Sequence, residues 1–380
     1  MRCTIFWQEP ALRKMRIMSK MQQWLSGLFG WIGMCGVIIA ALFSVSHQTV
    51  VAQGVGLART TFIDASRPTK PSPPFVGASD RRLDTWIWYP ADVTGEHPVE
   101  NASARTDAPW PLIIFSHGTY SQPDSSTHFC EYLVRHGYVV AAPTFPLTSR
   151  SAHTQLPAAD VSDAGNQPGD VSFVIDSLLA DPRFGPLIDR DRIGATGISL
   201  GGITTYFASF GLPTRDPRIK ASAPIAPGDP PYASLSFGLG FEGVIPAAVD
   251  TPALLLVGDA DVFESRTGGS AAAFARLMSP KHQVMIHDAP HVWFGDGAQV
   301  PADNLNPDCL WFSQNVGEQP SMCRERRPLI EPARQKAITR HALVAFFDAY
   351  LKEDAAALAR LGAIGETFDE VTLRRELTFE

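Results

Sequence analysis

Short apolar runs alternate with longer amphipathic stretches through most of this chain. The apolar runs have the length of buried strands, and an alternating run near the start adds one more strand. The predicted strands cover residues 81–89, 110–115, 138–142, 192–196, 219–225, 252–257 and 283–286. The predicted helices cover residues 125–135, 170–180, 200–211, 269–278 and 332–361. This alternation predicts the α/β class, with a mostly parallel central sheet and helices on both faces.

The segments between these elements predict loops and two insertions. Residues 53–78 are polar and proline-rich, which predicts an extended segment, and residues 144–169 predict a long loop. Asp170 follows that loop and is placed to cap the next helix. The insertions are predicted at residues 228–250 and 295–331. No stretch is long enough to be a linker, so residues 53 to 380 are predicted to form one domain.

Residues 1–52, the leader, have the layout of a secretory signal peptide. Basic residues precede an apolar run from Leu25 to Val45, and small residues end at Ala52, just before a cleavage site at Gln53. The apolar run is also near the length that spans a bilayer, so an uncleaved membrane anchor is the alternative. The translation start stays open between Met1 and the later Met15, Met18 and Met21.

Composition and charge argue for a globular protein that does not bind nucleic acid. The chain is 45% hydrophobic and 19% charged, its formal net charge is −7, and it has no basic stripe. Contact with a membrane is expected only through an uncleaved leader.

The cysteines outside the leader predict one disulfide and no metal site. Cys309 and Cys323 flank a polar segment without an apolar core, and a bridge closing such a loop stabilises a fold by about 3 kcal/mol. Cys130 lies in an apolar helical pattern and is expected to be a buried free thiol. No cysteine or histidine pair has the spacing of zinc ligands, so neither a metal nor an organic cofactor is expected.

Gly197-Ile-Ser-Leu-Gly201 has the pattern G-x-S-x-G, the turn that exposes a serine hydroxyl at the end of a sheet. A predicted strand precedes the motif and a predicted helix begins directly after Ser199, as the motif requires. Glycines at 197, 201 and 202 leave the turn free of Cβ clashes. Ser199 is therefore the candidate nucleophile.

A serine nucleophile needs a histidine to accept its proton and a carboxylate to orient that histidine. On this type of sheet the chain order is Ser, Asp, His. Asp259 and Asp261 both follow the predicted strand at 252–257, and Asp261 is favoured because it lies further into the loop. Asp259 ends the strand and is expected to cap the turn through backbone hydrogen bonds.

Four histidines follow these carboxylates. His282 and His287 begin and end the last predicted strand, and His341 lies inside the C-terminal helix. His291 lies in the loop after that strand, at the sheet edge where Ser199 is expected. His291 is therefore the candidate base.

The oxyanion formed by such an attack needs two backbone N–H donors. The first is expected from Leu200, directly after the nucleophile. The second is expected from Thr119, because Gly118 lets the preceding turn bend inward. Ser116 and His117 are expected only to shape that turn.

Together these motifs resemble the α/β-hydrolase superfamily, and within it the platelet-activating-factor acetylhydrolase-like and dienelactone-hydrolase-like group. The resemblance spans about residues 54–295 and the C-terminal helix, and it implies the triad Ser199, Asp261 and His291. It rests on Trp88–Pro90, Phe115–Gly118, His136–Val140, Asp170–Asp176, Asp191–Gly194, Gly197–Gly202, Gly258–Asp261 and His291.

Three features depart from the family pattern. Ile198 precedes the serine where many relatives have histidine, and residues 295–331 have no counterpart. Ser199 stands where dienelactone hydrolases have a cysteine nucleophile, which argues against their reaction.

These residues predict a secreted serine hydrolase that cleaves carboxylic esters. Tyr120, Phe237, Phe241 and Trp293 are expected to line the cleft, which favours a lipid-like, short-acyl or polyester substrate. An amide or peptide hydrolase with the same triad is an alternative, because the pocket selects the leaving group. A non-catalytic binding module is a further alternative, although such modules usually lack the serine or the histidine.

Overall fold

A ten-stranded sheet forms the centre of the computed structural model, which describes residues 54–377 apart from 108, 155, 298, 302, 304, 318, 319 and 325. The predicted signal peptide therefore lies outside the described residues. The strands are β1 (Gly54–Asp64), β2 (Arg81–Ala91), β3 (Val99–Glu100), β4 (Trp110–Ser116), β5 (Val139–Pro143), β6 (Ile188–Ile198), β7 (Gly211–Leu212), β8 (Ile219–Ile225), β9 (Ile245–Pro246), β10 (Ala253–Gly258), β11 (Lys281–Ile286) and β12 (Val371–Glu376). β7 and β9 pair outside the main sheet.

Six adjacent strands at the centre of the sheet are parallel. They lie in the order β11-β10-β8-β6-β4-β5. Antiparallel pairing joins β5 to β2 and β2 to β1 on one side, and β11 to β12 on the other. Because the carboxyl ends of parallel strands meet at one edge, the loops after β4, β6, β10 and β11 lie near one another.

Helices cover both faces of the sheet. They are α1 (Thr127–Arg135), α2 (Arg150–His153), α3 (Gln167–Ala180), α4 (Leu200–Phe210), α5 (Pro230–Phe237), α6 (Ser270–Arg276), α7 (Pro307–Asn315), α8 (Pro332–Leu351), α9 (Ala355–Gly362) and α10 (Ile364–Thr367). Along β4, Ile113 and Phe115 pack with α1 and α8, whereas Leu112 and Ile114 pack with α3. The predicted α/β fold with a mostly parallel sheet is confirmed.

Two predicted helices have different bounds in the structure. α3 begins at Gln167, because Pro168 favours the first turn, and the buried Asp170 carboxylate bonds Arg81 instead of capping the helix. The helix predicted over 332–361 breaks at Glu353, where φ is +56°. α9 then begins with a new cap of its own.

The hydrophobic pattern does not predict β12, at one edge of the sheet, or β1, the strand next to the other edge. β1 lies inside the segment predicted to be extended, and its second half alternates between exposed and half-buried residues. β12 buries only Val371 of its six residues. A strand with a single buried residue gives a weak pattern. The predicted loop 144–169 also contains α2 and a 3₁₀ turn at Val161–Asn166.

The segments predicted as insertions form short elements. Residues 228–250 contain α5 and β9, and residues 295–331 contain α7. The predicted disulfide joins Cys309 and Cys323, and Cys130 is a buried free thiol, as predicted. Within the described residues, no helix is long and apolar enough to cross a membrane, and no cluster of His, Cys, Asp or Glu could hold a metal ion.

Candidate active site

Ser199 lies at a sharp turn between β6 and α4. β6 ends at Ile198 and α4 begins at Leu200, so the serine alone joins the strand to the helix. Its φ of 59° and ψ of −122° lie outside the regions that residues with side chains normally occupy. Its N–H donates to the Ile225 carbonyl at 2.9 Å, which ties the turn to β8. This is the strained strand–turn–helix geometry that the G-x-S-x-G motif requires.

Two glycines allow this turn because the neighbouring backbone leaves no space for a side chain. A Cβ on Gly201 would overlap the carbonyl oxygen of Ser116 at the end of β4. A Cβ on Gly202 would lie 2.6 Å from the carbonyl oxygen of Ile225. The start of α4 therefore packs directly on the ends of β4 and β8, and this packing holds Ser199 at the sheet edge.

His291 and Asp261 form a buried pair, with exposed fractions of 6% and 3%. His291 Nδ1 and Asp261 Oδ2 are 2.7 Å apart, and Asp261 Oδ1 accepts the Phe263 N–H at 2.8 Å. The loop after β10 carries the aspartate, and the loop after its neighbour β11 carries the histidine. An ionised carboxylate at Nδ1 keeps the proton of a neutral imidazole there, so Nε2 can accept a proton from another group.

Burial and neighbouring charges shift the pKa of His291 in opposite directions. Burial lowers the pKa of the imidazole, whereas the charge and hydrogen bond of Asp261 raise it, as do the charges of Asp308 and Glu264. The net result is a pKa above the ordinary value of 6.5. This direction suits a base that must hold a proton during a reaction near neutral pH.

Asp259 and His287, the competing acid and a competing base, form a separate and more exposed pair. Asp259 Oδ2 lies 3.1 Å from His287 Nδ1, and Asp259 Oδ1 accepts the Asp288 N–H at 2.7 Å. Arg327 donates to the same carboxylate at 3.0 Å. The bond to Asp288 is a backbone hydrogen bond of the kind expected for Asp259.

Of the other two histidines, His282 is buried and His341 is half-buried. His282 Nε2 is 2.7 Å from the Tyr350 hydroxyl, and burial lowers the pKa of His282 to about 4. His341 packs edge-on against Phe368, and burial lowers its pKa as well. Both are therefore neutral histidines near pH 7.

The turn after β4 lies against Ser199. A Cβ on Gly118 would be 3.3 Å from the Ser199 Cβ and 3.9 Å from its Oγ. In the part of the chain that the structure describes, the N–H groups of Thr119 and Leu200 donate to no other protein group. Backbone donors beside a serine hydroxyl are what an oxyanion requires.

His117 holds this turn from inside. Its Nδ1 is 2.8 Å from the Gly118 carbonyl oxygen, and the Phe145 N–H donates to its Nε2 at 3.0 Å. Burial lowers the pKa of His117 to about 4. A neutral ring with backbone partners on both nitrogens shapes the turn, as the sequence indicates.

One cavity of about 510 Å³ contains the candidate catalytic groups. It is lined by the candidate nucleophile Ser199, the candidate base His291, and the candidate oxyanion donors Thr119 and Leu200. Two of the aromatic residues predicted for the cleft, Tyr120 and Phe237, line it as well. Asp261 lies behind His291. The structure therefore brings the predicted residues to one edge of the sheet.

Phe241 and Trp293, also predicted for the cleft, are in the core, and that prediction is wrong. Phe241 is 2% exposed and stacks on Phe207 with 4.1 Å between ring centroids. Trp293 is 1% exposed, and its indole N–H donates to the Gln299 carbonyl at 3.3 Å. Aromatic side chains near a site gain as much from burial in the core as from a cleft, and composition does not distinguish the two.

Aromatic residues that the sequence did not predict for the cleft form another wall of the cavity. Trp311 and Phe312 come from α7, and Phe263 comes from the loop after β10. The Phe263 ring lies 4.4 Å from Phe312 and 4.3 Å from the imidazole of His291. The Arg266 guanidinium lies 5.2 Å above Phe312. An aromatic pair beside a cysteine, in an otherwise polar segment, is the signal that could have indicated this wall.

A family model described as platelet-activating factor acetylhydrolase, isoform II, matches residues 91–181. The matched range includes the turn of Thr119 and ends before Ser199. Lipase 1 of Moraxella sp. (strain TA144) is 26% identical over 129 residues, which are 34% of this chain and 35% of the lipase. The chain thus spans about a third of that relative's length.

A solved ferulic acid esterase from Streptomyces cinnamoneus has a similar fold, with a TM-score of 0.62 and 21% sequence identity. The likeness covers 85% of this chain and 96% of that chain, and at this identity it shows the fold alone. The predicted resemblance to the α/β hydrolases and their platelet-activating-factor acetylhydrolase-like group is confirmed. The acetylhydrolase model and the lipase agree with the predicted enzyme class, a carboxylic ester hydrolase.

Proposed function

We propose that this chain, which has the α/β-hydrolase fold, cleaves carboxylic esters through Ser199, His291 and Asp261. The observation that carries the proposal is a shared cavity, which Ser199 and His291 line while Asp261 lies 2.7 Å from the Nδ1 of His291. Each of the three residues follows a different strand at one sheet edge, in the chain order of this fold.

The reaction begins when Ser199 Oγ attacks the ester carbonyl carbon and His291 Nε2 takes the hydroxyl proton. The N–H groups of Thr119 and Leu200 stabilise the negative oxygen that forms. His291 then gives its proton to the departing alcohol, which leaves the acyl group on the serine. Water attacks the acyl carbonyl with the same proton transfers and releases the carboxylic acid. Asp261 stays ionised and stabilises the imidazolium.

The cavity favours a substrate with one apolar side. Its volume of about 510 Å³ is that of a pocket for a small molecule, in the range of about 300–1,000 Å³. Phe237, Phe263, Trp311 and Phe312 contribute apolar or aromatic surface to the wall. We propose lipid-like, short-acyl or polyester substrates. Rates on nitrophenyl esters of increasing acyl length measure the chain-length preference. Matched nitroanilides measure the preference for esters over amides.

Labelling with a fluorophosphonate tests the nucleophile. The wild-type protein is expected to be labelled at Ser199, and Ser199→Ala is expected to lose the label and lower kcat by about 10⁶-fold. Ser103→Ala, the control, changes an exposed serine and is expected to keep the label and the wild-type kcat. A folded wild-type protein that takes no label, or a label that persists in Ser199→Ala, would exclude this mechanism.

We propose that the protein is exported and loses its leader. The support is the basic, apolar and small-residue order of residues 1–52, together with a disulfide of the kind that oxidising compartments maintain. The secreted or periplasmic protein is expected to begin at Gln53 by intact-mass measurement. An uncut chain in the membrane fraction would favour the anchor instead.

A further inference from the structure

Asp308 is a fully buried carboxylate in the first turn of α7, next to Cys309 of the disulfide. It belongs to the segment 295–331, which the sequence predicts to be an insertion. Asn306 caps α7 by accepting the Asp308 N–H at 2.9 Å, and its amide donates to the Ala260 carbonyl at 2.7 Å. The beginning of α7 is therefore bonded to the loop after β10.

The Asp308 carboxylate joins the two loops that carry the His291–Asp261 pair. Its Oδ2 accepts the N–H of His291 at 2.9 Å and the N–H of Val262 at 3.1 Å. Its Oδ1 accepts the N–H of Val292 at 3.0 Å. Val262 directly follows Asp261, so one side chain fixes the backbone at both members of the pair. An asparagine would replace these bonds only in part, because an amide nitrogen accepts no hydrogen bond from an N–H.

Burying the Asp308 carboxylate is unfavourable to the free energy of folding. Among the described residues no lysine or arginine forms an ion pair with it, so backbone N–H groups supply its hydrogen bonds. Burial raises the pKa of Asp308 to about 6, the charge of Asp261 adds to this, and His291 and the backbone donors act in the opposite direction. A buried carboxylate without a cation lowers stability, and such groups concentrate at functional sites.

We propose that Asp308 is a positioning residue that holds His291 and Asp261 in place by tying the backbones of their loops together. The proposal rests on the proposed function, in which this pair is catalytic. Cys309 links the same turn of α7 to Cys323, so the disulfide restricts the movement of the carboxylate. The segment 295–331 thus supports the catalytic pair in addition to forming a cavity wall.

Asp308→Asn, with Asp216→Asn as its matched control, tests the proposal. Asp216 is also a buried carboxylate, 5% exposed, and it accepts the Arg218 N–H at 2.9 Å in the loop before β8, far from the carboxyl edge. In Asp308→Asn we expect kcat to fall about 10–100-fold and KM to change less than about 3-fold, because a displaced pair slows proton transfer more than binding. Asp216→Asn is expected to keep the wild-type kcat, even at an equal loss of stability.

The pH profile supplies a second measurement. Asp261, Asp308 and Glu264 are the carboxylates whose charges act on His291. Removing the Asp308 charge lowers the pKa of His291, and His291 acts as a base only when it is neutral. The acid limb of kcat/KM is therefore expected to move to lower pH in Asp308→Asn and to stay in place in Asp216→Asn.

The rate of fluorophosphonate labelling distinguishes failure of the proposed function from failure of the positioning role of Asp308. Absent labelling of the wild-type protein overturns the proposed function, whereas a folded Asp308→Asn with wild-type kcat and labelling rate overturns the positioning role alone. Where Asp308→Asn does not fold, Cys309→Ser/Cys323→Ser decides, because it frees the turn that carries the carboxylate. A lower kcat at unchanged KM in that variant supports the proposal, and a wild-type kcat overturns it.

Discussion

Asp259 and Asp261 lie two positions apart in one loop, and different neighbours separate them. Asp261 is buried against His291, whereas Asp259 forms a partly exposed cluster with His287 and Arg327. The chain therefore contains two Asp–His pairs in the same two loops, one at the cavity and one nearer the surface. The second pair is a natural control for the first.

Asp261→Asn is expected to lower kcat about 10³–10⁴-fold, because an amide neither holds the required tautomer of His291 nor stabilises its cation. Asp259→Asn removes a carboxylate from the more exposed pair and is expected to leave kcat near the wild-type value. Steady-state kinetics on a short-chain nitrophenyl ester measure both. Equal losses in the two variants would contradict the assignment of Asp261.

The pH dependence of these variants follows from the pKa of His291, which is raised above 6.5 in the wild-type protein. Since the neutral imidazole is the active form, kcat/KM increases as the pH rises through that pKa and then levels off. Asp261→Asn removes the charge that raises the pKa, so its residual activity is expected to show an acid limb at lower pH. An unchanged limb in Asp261→Asn would assign it to another group.

At the scale of elements, a buried arginine joins β2 to α3. The Arg81 guanidinium donates to both oxygens of Asp170 at 2.7 Å and to both oxygens of Asp163 at 3.0 Å. The two carboxylates compensate a charge that is otherwise costly in a core. This network explains why Asp170 faces inward and does not cap α3.

Arg81→Met is expected to lower the free energy of unfolding by about 3–5 kcal/mol, because it removes the cation from the buried Asp163 and leaves the buried Asp170 with Arg67 alone. Arg82→Met, the next residue on β2 and an exposed one, is the control and is expected to stay near the wild-type stability. Urea unfolding measures both. If Arg81→Met were as stable as Arg82→Met, the network would contribute no net stability.

The central strands are more predictable from sequence than the edges. The prediction at residues 110–115 matches β4 closely, because that strand is buried on both faces and forms a continuous apolar run. β12 has one buried position among polar residues, so its signal is weak. The breaks between helices depend on single residues such as Glu353, which the helical pattern does not distinguish.

At the scale of the whole molecule, topology explains why the candidate triad can be predicted. Ser199, Asp261 and His291 each follow a parallel strand, and the ends of such strands converge at one edge. The cavity wall is different, because it depends on how loops fold over that edge. Phe241 and Trp311 are both aromatic residues in predicted insertions, yet the first is in the core and the second lines the cavity.

The two roles of α7 have a consequence for how such an enzyme can diversify. Trp311 and Phe312 face the cavity, and Asp308, one turn earlier, is bonded to the loop of His291. Under the proposed mechanism, a substitution that reshapes this wall for a different acyl group is also expected to move the helix that positions His291. Substrate selectivity and kcat are therefore expected to change together when this segment is mutated. In a library of variants in this segment, those with a new acyl selectivity are expected to have a lower kcat.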